Sequence, residues 1–285
     1  MIDLHTHTTA SDGRSTPAEL VARAAGAGVT VLSVTDHDTT DACLVAGEAC
    51  AASGITFVPG IEITAVRDEV DVHILGYFLD PASPGLRAFL AEQRLRRVER
   101  AGLMIAKLAT LGLHLDADDI LRRARDQPGK SVGRPMLARA LIAAGYVKTT
   151  SEAFDSWLSR GRPGFVAREG ALPDQVIAQI HDAGGVASLA HPGLLKHDEW
   201  IPGLGSAGLD AIEVYHSNHD EATAGRYRSM AERLGLGVSG GSDYHGDESH
   251  GPAYPGSVSL PAGDFDQLRD RATSRATASG ASTSS

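Results

Sequence analysis

Cysteine is almost missing. Cys43 and Cys50 are the only two, seven positions apart, with no C-x-x-C pair. That excludes a disulfide scaffold and a thiolate zinc site, and leaves two cysteines expected to be buried in one helix. Basic residues are short as well: 26 Lys and Arg face 36 Asp and Glu, for a formal net charge of -10. Broad electrostatic binding to nucleic acid or anionic membrane is therefore disfavoured, although a small basic pocket is not. There is no long apolar run and no basic start leading into one. No membrane span or secretory leader is expected, and the reading is a protein of the reducing cytoplasm. Disorder is excluded by a hydrophobic content of 42% against 22% charged. No internal repeat is found.

Length, at 285 residues, fits one α/β barrel. The chain opens on Met1-Ile-Asp3-Leu-His5-Thr-His7, a short apolar strand running into two histidines. Residues two apart on a strand point the same way, so His5 and His7 reach one point in space. Imidazole is the commonest metal ligand. Thr8 to Gly13 is a loop, and Ser15-Thr16-Pro17-Ala-Glu19 starts a helix. Val29 to Val34 is a β-branched run typical of a strand buried on both faces, and it stops at Asp36-His37-Asp38. A helix follows through Cys50. Ile55 to Val58 forms a strand ending at Gly60-Ile61-Glu62, and Val70 to Tyr77 forms another, carrying His73.

The pattern changes at Pro81. Residues 81–168 read as a helical insertion into an alternating β/α chain, with barrel at 1–80 and 169–275. Arg94, Arg96, Arg97 and Arg100 lie on its first helix and are expected to form a solvated face. Alternation resumes with a helix over 173–183. Strands then run into His191, into His216 and His219, and into Asp243-Tyr244-His245. A last helix is expected over Ala262 to Thr273, and 276–285 as a disordered tail.

The residues with chemistry share one placement. His5, His7, Asp36, His37, Glu62, His191, His216, Asp243 and His245 all sit where an apolar strand gives out. Sites in parallel α/β folds form at the carboxyl ends of strands. Imidazole plus carboxylate without thiolate suits catalytic Zn²⁺, Mn²⁺ or Fe²⁺. The supply exceeds what one ion needs, so about two or three ions sharing a carboxylate are expected. Such a cluster generates hydroxide near neutral pH and clamps the oxygens of an in-line displacement.

Asp3-Leu-His5-Thr-His7, Ser11-Asp12-Gly13, Thr35-Asp36-His37-Asp38, Gly60-Ile-Glu62, Val72-His73, Ala190-His191-Pro192 and Gly241-Ser-Asp243-Tyr-His245 stand in this order. The set resembles the PHP (polymerase and histidinol phosphatase) family, from residue 3 to 245. Within the family it is similar to stand-alone phosphatases of 3′,5′-bisphosphorylated nucleosides and nucleases of short RNA 5′ ends. The resemblance implies a distorted (β/α)7 barrel with a trinuclear centre. One ion would take His5, His7, Glu62 and Asp243. A second would take Asp12, His37 and His245, and a third Glu62, His73 and His191, with Glu62 bridging. The family often has histidine at the place of Asp12, whereas aspartate is usual in its nucleotide-phosphatase branch. Asp36 and Asp38 are expected to orient His37 or to support the ligands from behind.

Ser131-Val-Gly133-Arg134-Pro135 resembles the Ser/Arg segment of the nucleotide phosphatases, so Arg134 is a candidate phosphate grip. Arg162 and Arg168 are further candidates. His216 and His219 are candidates for binding a second phosphate or protonating the leaving oxygen. His114, His181, His197 and His250 are read as surface residues. The expected activity is hydrolysis of a small nucleotide phosphoester, such as a 3′,5′-bisphosphonucleoside or a nucleoside monophosphate, by a metal-bridging hydroxide. A cyclic sugar phosphate and a short RNA are the alternative substrates, and no protein partner or membrane is implied. Two other classes compete: amide or lactone hydrolysis on a related barrel, and a non-catalytic metal-binding accessory domain. Sites of the first use a strand lysine to bridge two ions, and no lysine here ends a strand.

Overall fold

Short β-branched runs alternating with capped helices build a barrel wall. The computed structural model describes residues 1–126, 133–246 and 254–282, so Ser131, Val132 and His250 lie outside the described residues. Strand β1 (Ile2–Asp3) is followed by α1 (Pro17–Gly26), β2 (Val31–Val34), α2 (Cys43–Ala52) and β3 (Thr56–Arg67). Thr16 caps α1, and Glu19 returns the bond to its backbone. β1, β2 and residues 56–59 of β3 pair in parallel.

β3 departs from the sequence reading. It does not end at Glu62 but runs on to Arg67, because Ile61, Ile63 and Ala65 keep one face buried. Past Pro59 its partner becomes β4 (Val70–Tyr77), which is antiparallel to it along its whole length. Asp68 and Glu69 both take positive φ in the hairpin turn, the backbone that suits the twist of paired strands. His73 therefore comes early in a strand running backwards, which places it at the rim where its parallel neighbours end.

Among the described residues four helices follow: α3 (Pro84–Thr110), α4 (Ala117–Asp126), α5 (Arg134–Ala143) and α6 (Thr150–Ala153), the last continuing as one wider turn through Leu158. The barrel then resumes with α7 (Pro173–Asp182), β5 (Val186–Leu189), α8 (Pro192–Leu195), α9 (Ile201–Ser206), β6 (Ala211–Tyr215), α10 (Glu221–Leu234), β7 (Gly237–Gly240) and α11 (Ala262–Ser282). β5 pairs antiparallel with β4, and β5, β6 and β7 are parallel. The seven strands stand in sequence order. Leu4 N donates to Gly240 O at 3.2 Å, and Thr6 bridges to Tyr244, which nearly closes the wall.

α11 outruns the end expected at Thr273 and enters the stretch read as a disordered tail. The largest apolar cluster lies within the barrel and under α7 to α11, with Leu4, Ile61, Ile74, Val186 and Ile212 among its members. A second cluster under α1 and α2 contains Cys50 and Tyr244, and both cysteines are buried as expected. The helices of the insertion form a third around Met104, Leu108, Leu137, Leu141 and Leu158. Among the described residues no helix is long and apolar enough to cross a membrane.

Candidate active site

Backbone forced into uncommon conformations marks the rim. Asp38, His191 and Asp243 all have positive φ, at 53°, 26° and 55°, where L side chains rarely go. Such strain clusters at functional sites. Gly241 precedes this stretch, and a Cβ there would collide with the backbone of His5. Chain from both ends of the sequence thus meets at the barrel seam, with Asp243 N donating to His5 O at 2.8 Å.

Four side chains converge first. His5 Nε2 lies 3.1 Å from His7 Nε2, 3.4 Å from Glu62 Oε2 and 3.3 Å from Asp243 Oδ1. His7 Nε2 is 3.3 Å from the same Glu62 oxygen and 3.2 Å from the same Asp243 oxygen. Metal–ligand bonds of about 2.1 Å put neighbouring ligand atoms about 3.0 Å apart in an octahedron and about 3.4 Å apart in a tetrahedron. The observed separations span that interval. Glu62 continues to a second group: its Oε1 is 2.8 Å from His73 Nδ1 and 3.1 Å from His191 Nε2, and its Oε2 is 3.1 Å from His37 Nδ1. Asp12 gathers the third, with His245 Nε2 at 3.4 Å and His37 Nε2 at 3.7 Å. His7 Nδ1 and His37 Nδ1 are buried without a hydrogen-bond partner. Crowded acceptors beside orphaned ring nitrogens fit divalent cations, and hydrogen bonding alone does not satisfy them. All nine residues expected to bind metal are brought together.

Charge inside the cage is unevenly resolved without cations. Burial opposes ionisation of Glu62, but His37, His73 and His5 hold its carboxyl well below the usual range. Burial drives His37 down to about 3. It works against His245 too, yet Asp12 and Asp243 bring that imidazole up to about 9. Imidazole must be neutral to bind a cation, so filling the cage with metal would release protons.

Of the two expectations for the flanking aspartates, orienting His37 and supporting the ligands from behind, Asp36 meets the second. Asp36 accepts from Thr8 N at 2.8 Å, Thr8 Oγ1 at 2.6 Å and Ser11 Oγ at 2.5 Å, which shapes the loop carrying Asp12. Asp38 binds Thr64 N at 3.0 Å and pairs with Arg97. Asp3 ties Ser242 and Gly256 to the start of the chain. Glu213, at the centre of β6, is fully buried; it binds His5 Nδ1 at 2.8 Å and the His191 backbone N–H at 2.7 Å. Sequence reasoning missed Glu213, although an acid inside Ala-Ile-Glu-Val-Tyr was a signal.

A cavity of about 200 Å³ opens beside Asp12, His37 and His73. Arg97, Arg100, Arg134 and Arg168 line it, with Met104 and Leu137 behind. Arg97 and Arg100 correct the expectation of a solvated face. Helical spacing identifies a polar side but not what that side looks onto. Arg97 is held by Asp38, and its Nε is buried without a partner. Burial, together with Arg168 nearby, pushes its pKa well below the ordinary guanidinium value. Arg168 pairs with Asp71 at 3.1 Å, Arg100 Nε donates to Val166 O at 2.9 Å, and Arg134 lies over Phe154. Arg162 is exposed and is not among the residues lining this cavity.

His216 and His219, the candidates for holding a second phosphate or protonating the leaving oxygen, both have partners at their two ring nitrogens. His219 Nδ1 donates to Val214 O at 2.9 Å, so its Nε2 is the acceptor of the Gly193 N–H at 3.2 Å. Both ring nitrogens are spent on backbone. His216 Nδ1 accepts from Asn218 N at 3.1 Å, which leaves Nε2 to meet Asp243 Oδ2 at 3.2 Å. His181 is likewise no simple surface residue, since its Nε2 binds Asp210 at 2.8 Å.

A barrel whose strand ends crowd imidazoles and carboxylates around shared points is the architecture of a metal-dependent hydrolase. Known proteins narrow this. The PHP domain family matches residues 3–120. The 3′,5′-nucleoside bisphosphate phosphatase of Chromobacterium violaceum is 36% identical over 249 residues, covering 86% of this chain and 87% of that one. The 5′-3′ exoribonuclease Rnm of Salmonella typhimurium is 37% identical over 252 residues, covering 85% and 84%. Among solved structures, a chain from Bifidobacterium adolescentis assigned as a metal-dependent phosphoesterase superposes with a TM-score of 0.79 at 33% identity, covering 94% of this chain and 95% of that one. The chain belongs to the PHP family and is a metal-dependent phosphoesterase.

Proposed function

We propose that the chain hydrolyses a phosphate ester of a small nucleotide carrying a second anionic group, of the 3′,5′-bisphosphonucleoside kind. The observation that carries this is the arginine-lined cavity opening directly off the ligand cage. Four guanidinium groups exceed what one phosphoryl group at the metals requires, and arginine grips phosphate through paired N–H donors. The cavity is smaller than the roughly 300–1,000 Å³ that encloses a whole ligand, so it suits an appended group of the substrate. Similarity to a bisphosphate phosphatase supports the reading, and the net charge of -10 weighs against long nucleic acid. The 5′ end of a short RNA is the second reading, favoured by the equal similarity to Rnm.

His5, His7, Glu62 and Asp243 would hold one ion, Asp12, His37 and His245 a second, and Glu62, His73 and His191 a third. When bound, the ions supply positive charge against the phosphoryl oxygens and make water a competent nucleophile near neutral pH. The chain itself binds and orients. Arg97, fixed by Asp38, and Arg100, fixed by Val166, face the distal anion, while Arg134 and Arg168 close the same wall. These side chains come from α3, α5 and the segment after α6, so the helical insertion at 81–168 caps the site and selects the substrate. Positioning and charge neutralisation are what phosphoryl transfer chiefly needs.

Turnover by manganese-loaded enzyme tests this, read as inorganic phosphate from the nucleotides and as released mononucleotide from RNA. A nucleoside 3′,5′-bisphosphate should outperform the matching monophosphate and a short 5′-phosphorylated RNA in kcat/KM. Arg97→Gln should raise KM for the bisphosphate by about 10- to 100-fold, the worth of one charge-assisted contact. Preference for the monophosphate, or an unchanged KM, would refute the assignment.

A further inference from the structure

β6 reads Ala211-Ile-Glu213-Val-Tyr215, with Ile212 and Val214 fully buried on one face and Ala211 and Glu213 fully buried on the other. A carboxylate fully enclosed by a barrel is costly unless its oxygens are used. Both are used, on two different strand ends. Oε1 lies 2.8 Å from His5 Nδ1, and Oε2 accepts the His191 backbone N–H at 2.7 Å.

The first bond fixes a tautomer. A carboxylate accepts, so Nδ1 of His5 carries the proton and Nε2 turns its lone pair to the point shared with His7, Glu62 and Asp243. The second bond fixes a backbone. His191 has φ 26° and ψ 58°, so something must hold it there. Two positions on, Gly193 N donates to His219 at 3.2 Å, and a Cβ on Gly193 would come within 2.8 Å of that ring. The His191–Gly193 turn is thus hooked at both ends by the strand and loop that follow β5.

We propose that Glu213 is a positioning residue that sets two metal-binding imidazoles at once, His5 through its ring and His191 through its main chain. It presupposes that His5 and His191 bind metal, as proposed above. Glutamine in its place has the same shape but one acceptor for two donors. Its amide nitrogen would face either His5 Nδ1–H or the His191 N–H, and one of the two ligands would be released. Losses of this kind weaken metal binding by about 10- to 100-fold.

The test compares wild type, Glu213→Gln and Glu213→Asp by manganese titration of metal-stripped protein. Ions retained per chain are counted by elemental analysis, and the melting of each metal-free protein is recorded. The expected result is weaker binding in both variants by about 10- to 100-fold, with kcat falling more than KM rises and each metal-free variant still melting cooperatively. Wild-type affinity and ion count in either folded variant would overturn the proposal. Failure of both variants to fold without metal would overturn it too, because Glu213 would then serve stability. A wild type that retains no ion would instead refute the ligand assignment itself.

Discussion

Glu62 meets five imidazoles, those of His5, His7, His37, His73 and His191, at 2.8 to 3.4 Å. That placement is what the proposed sharing of Glu62 between ions requires, and Asp243 meets His5, His7 and His216 at 3.2 to 3.3 Å. Asp243→Asn should reduce turnover by at least about 100-fold, more than loss of a supporting contact costs. The metal-free fold should survive, as read by circular dichroism melting; near-normal phosphate release would contradict the assignment. At this scale the sequence was informative wherever a side chain sits at a strand end, because apolar runs announce those ends. Glu213 escaped because it lies inside a run, and hydropathy does not say what the inward face of a strand touches. His219 was named for the right neighbourhood, but its role depends on which backbone groups reach its ring.

Strands were legible as elements, β4 with its observed bounds, but the direction of their pairing and the end of β3 were not where no helix links them. β3 and β4 form a hairpin, so the wall turns antiparallel twice, and His73 reaches the rim from a strand running backwards. α3 was foreseen as a helix, but which flank of it faces the cage is settled by Asp38 holding Arg97. On the far side of the barrel, Asp210 ties three elements together. It accepts from Ala187 N of β5 at 2.8 Å, meets His181 of α7 at 2.8 Å, and pairs with Arg275 of α11 at 2.6 Å. Burial would raise its pKa, yet these partners lower it below the ordinary value. A depressed carboxyl stabilises the fold above its unfolded pKa, and that contribution is lost as pH falls through the folded one. Asp210→Asn should therefore cost about 1–3 kcal/mol in urea unfolding at neutral pH. The gap from wild type should close as pH drops below about 4. A gap independent of pH would refute the charge's role.

The whole molecule joins a barrel that concentrates ligands to an insertion with its own apolar core. The order of the motifs made the barrel readable from sequence. The insertion was readable only as helix, since its packing around Met104, Leu108 and Leu141 depends on contacts far apart along the chain. The account as a whole rests on cations held where the strands end. The decisive measurement is the number of divalent ions retained per chain, by elemental analysis after manganese loading and exhaustive dialysis, for wild type and Glu62→Gln. Wild type should keep about two or three, and Glu62→Gln should keep fewer. A wild type that keeps none, or a Glu62→Gln protein that keeps the full number, would contradict it.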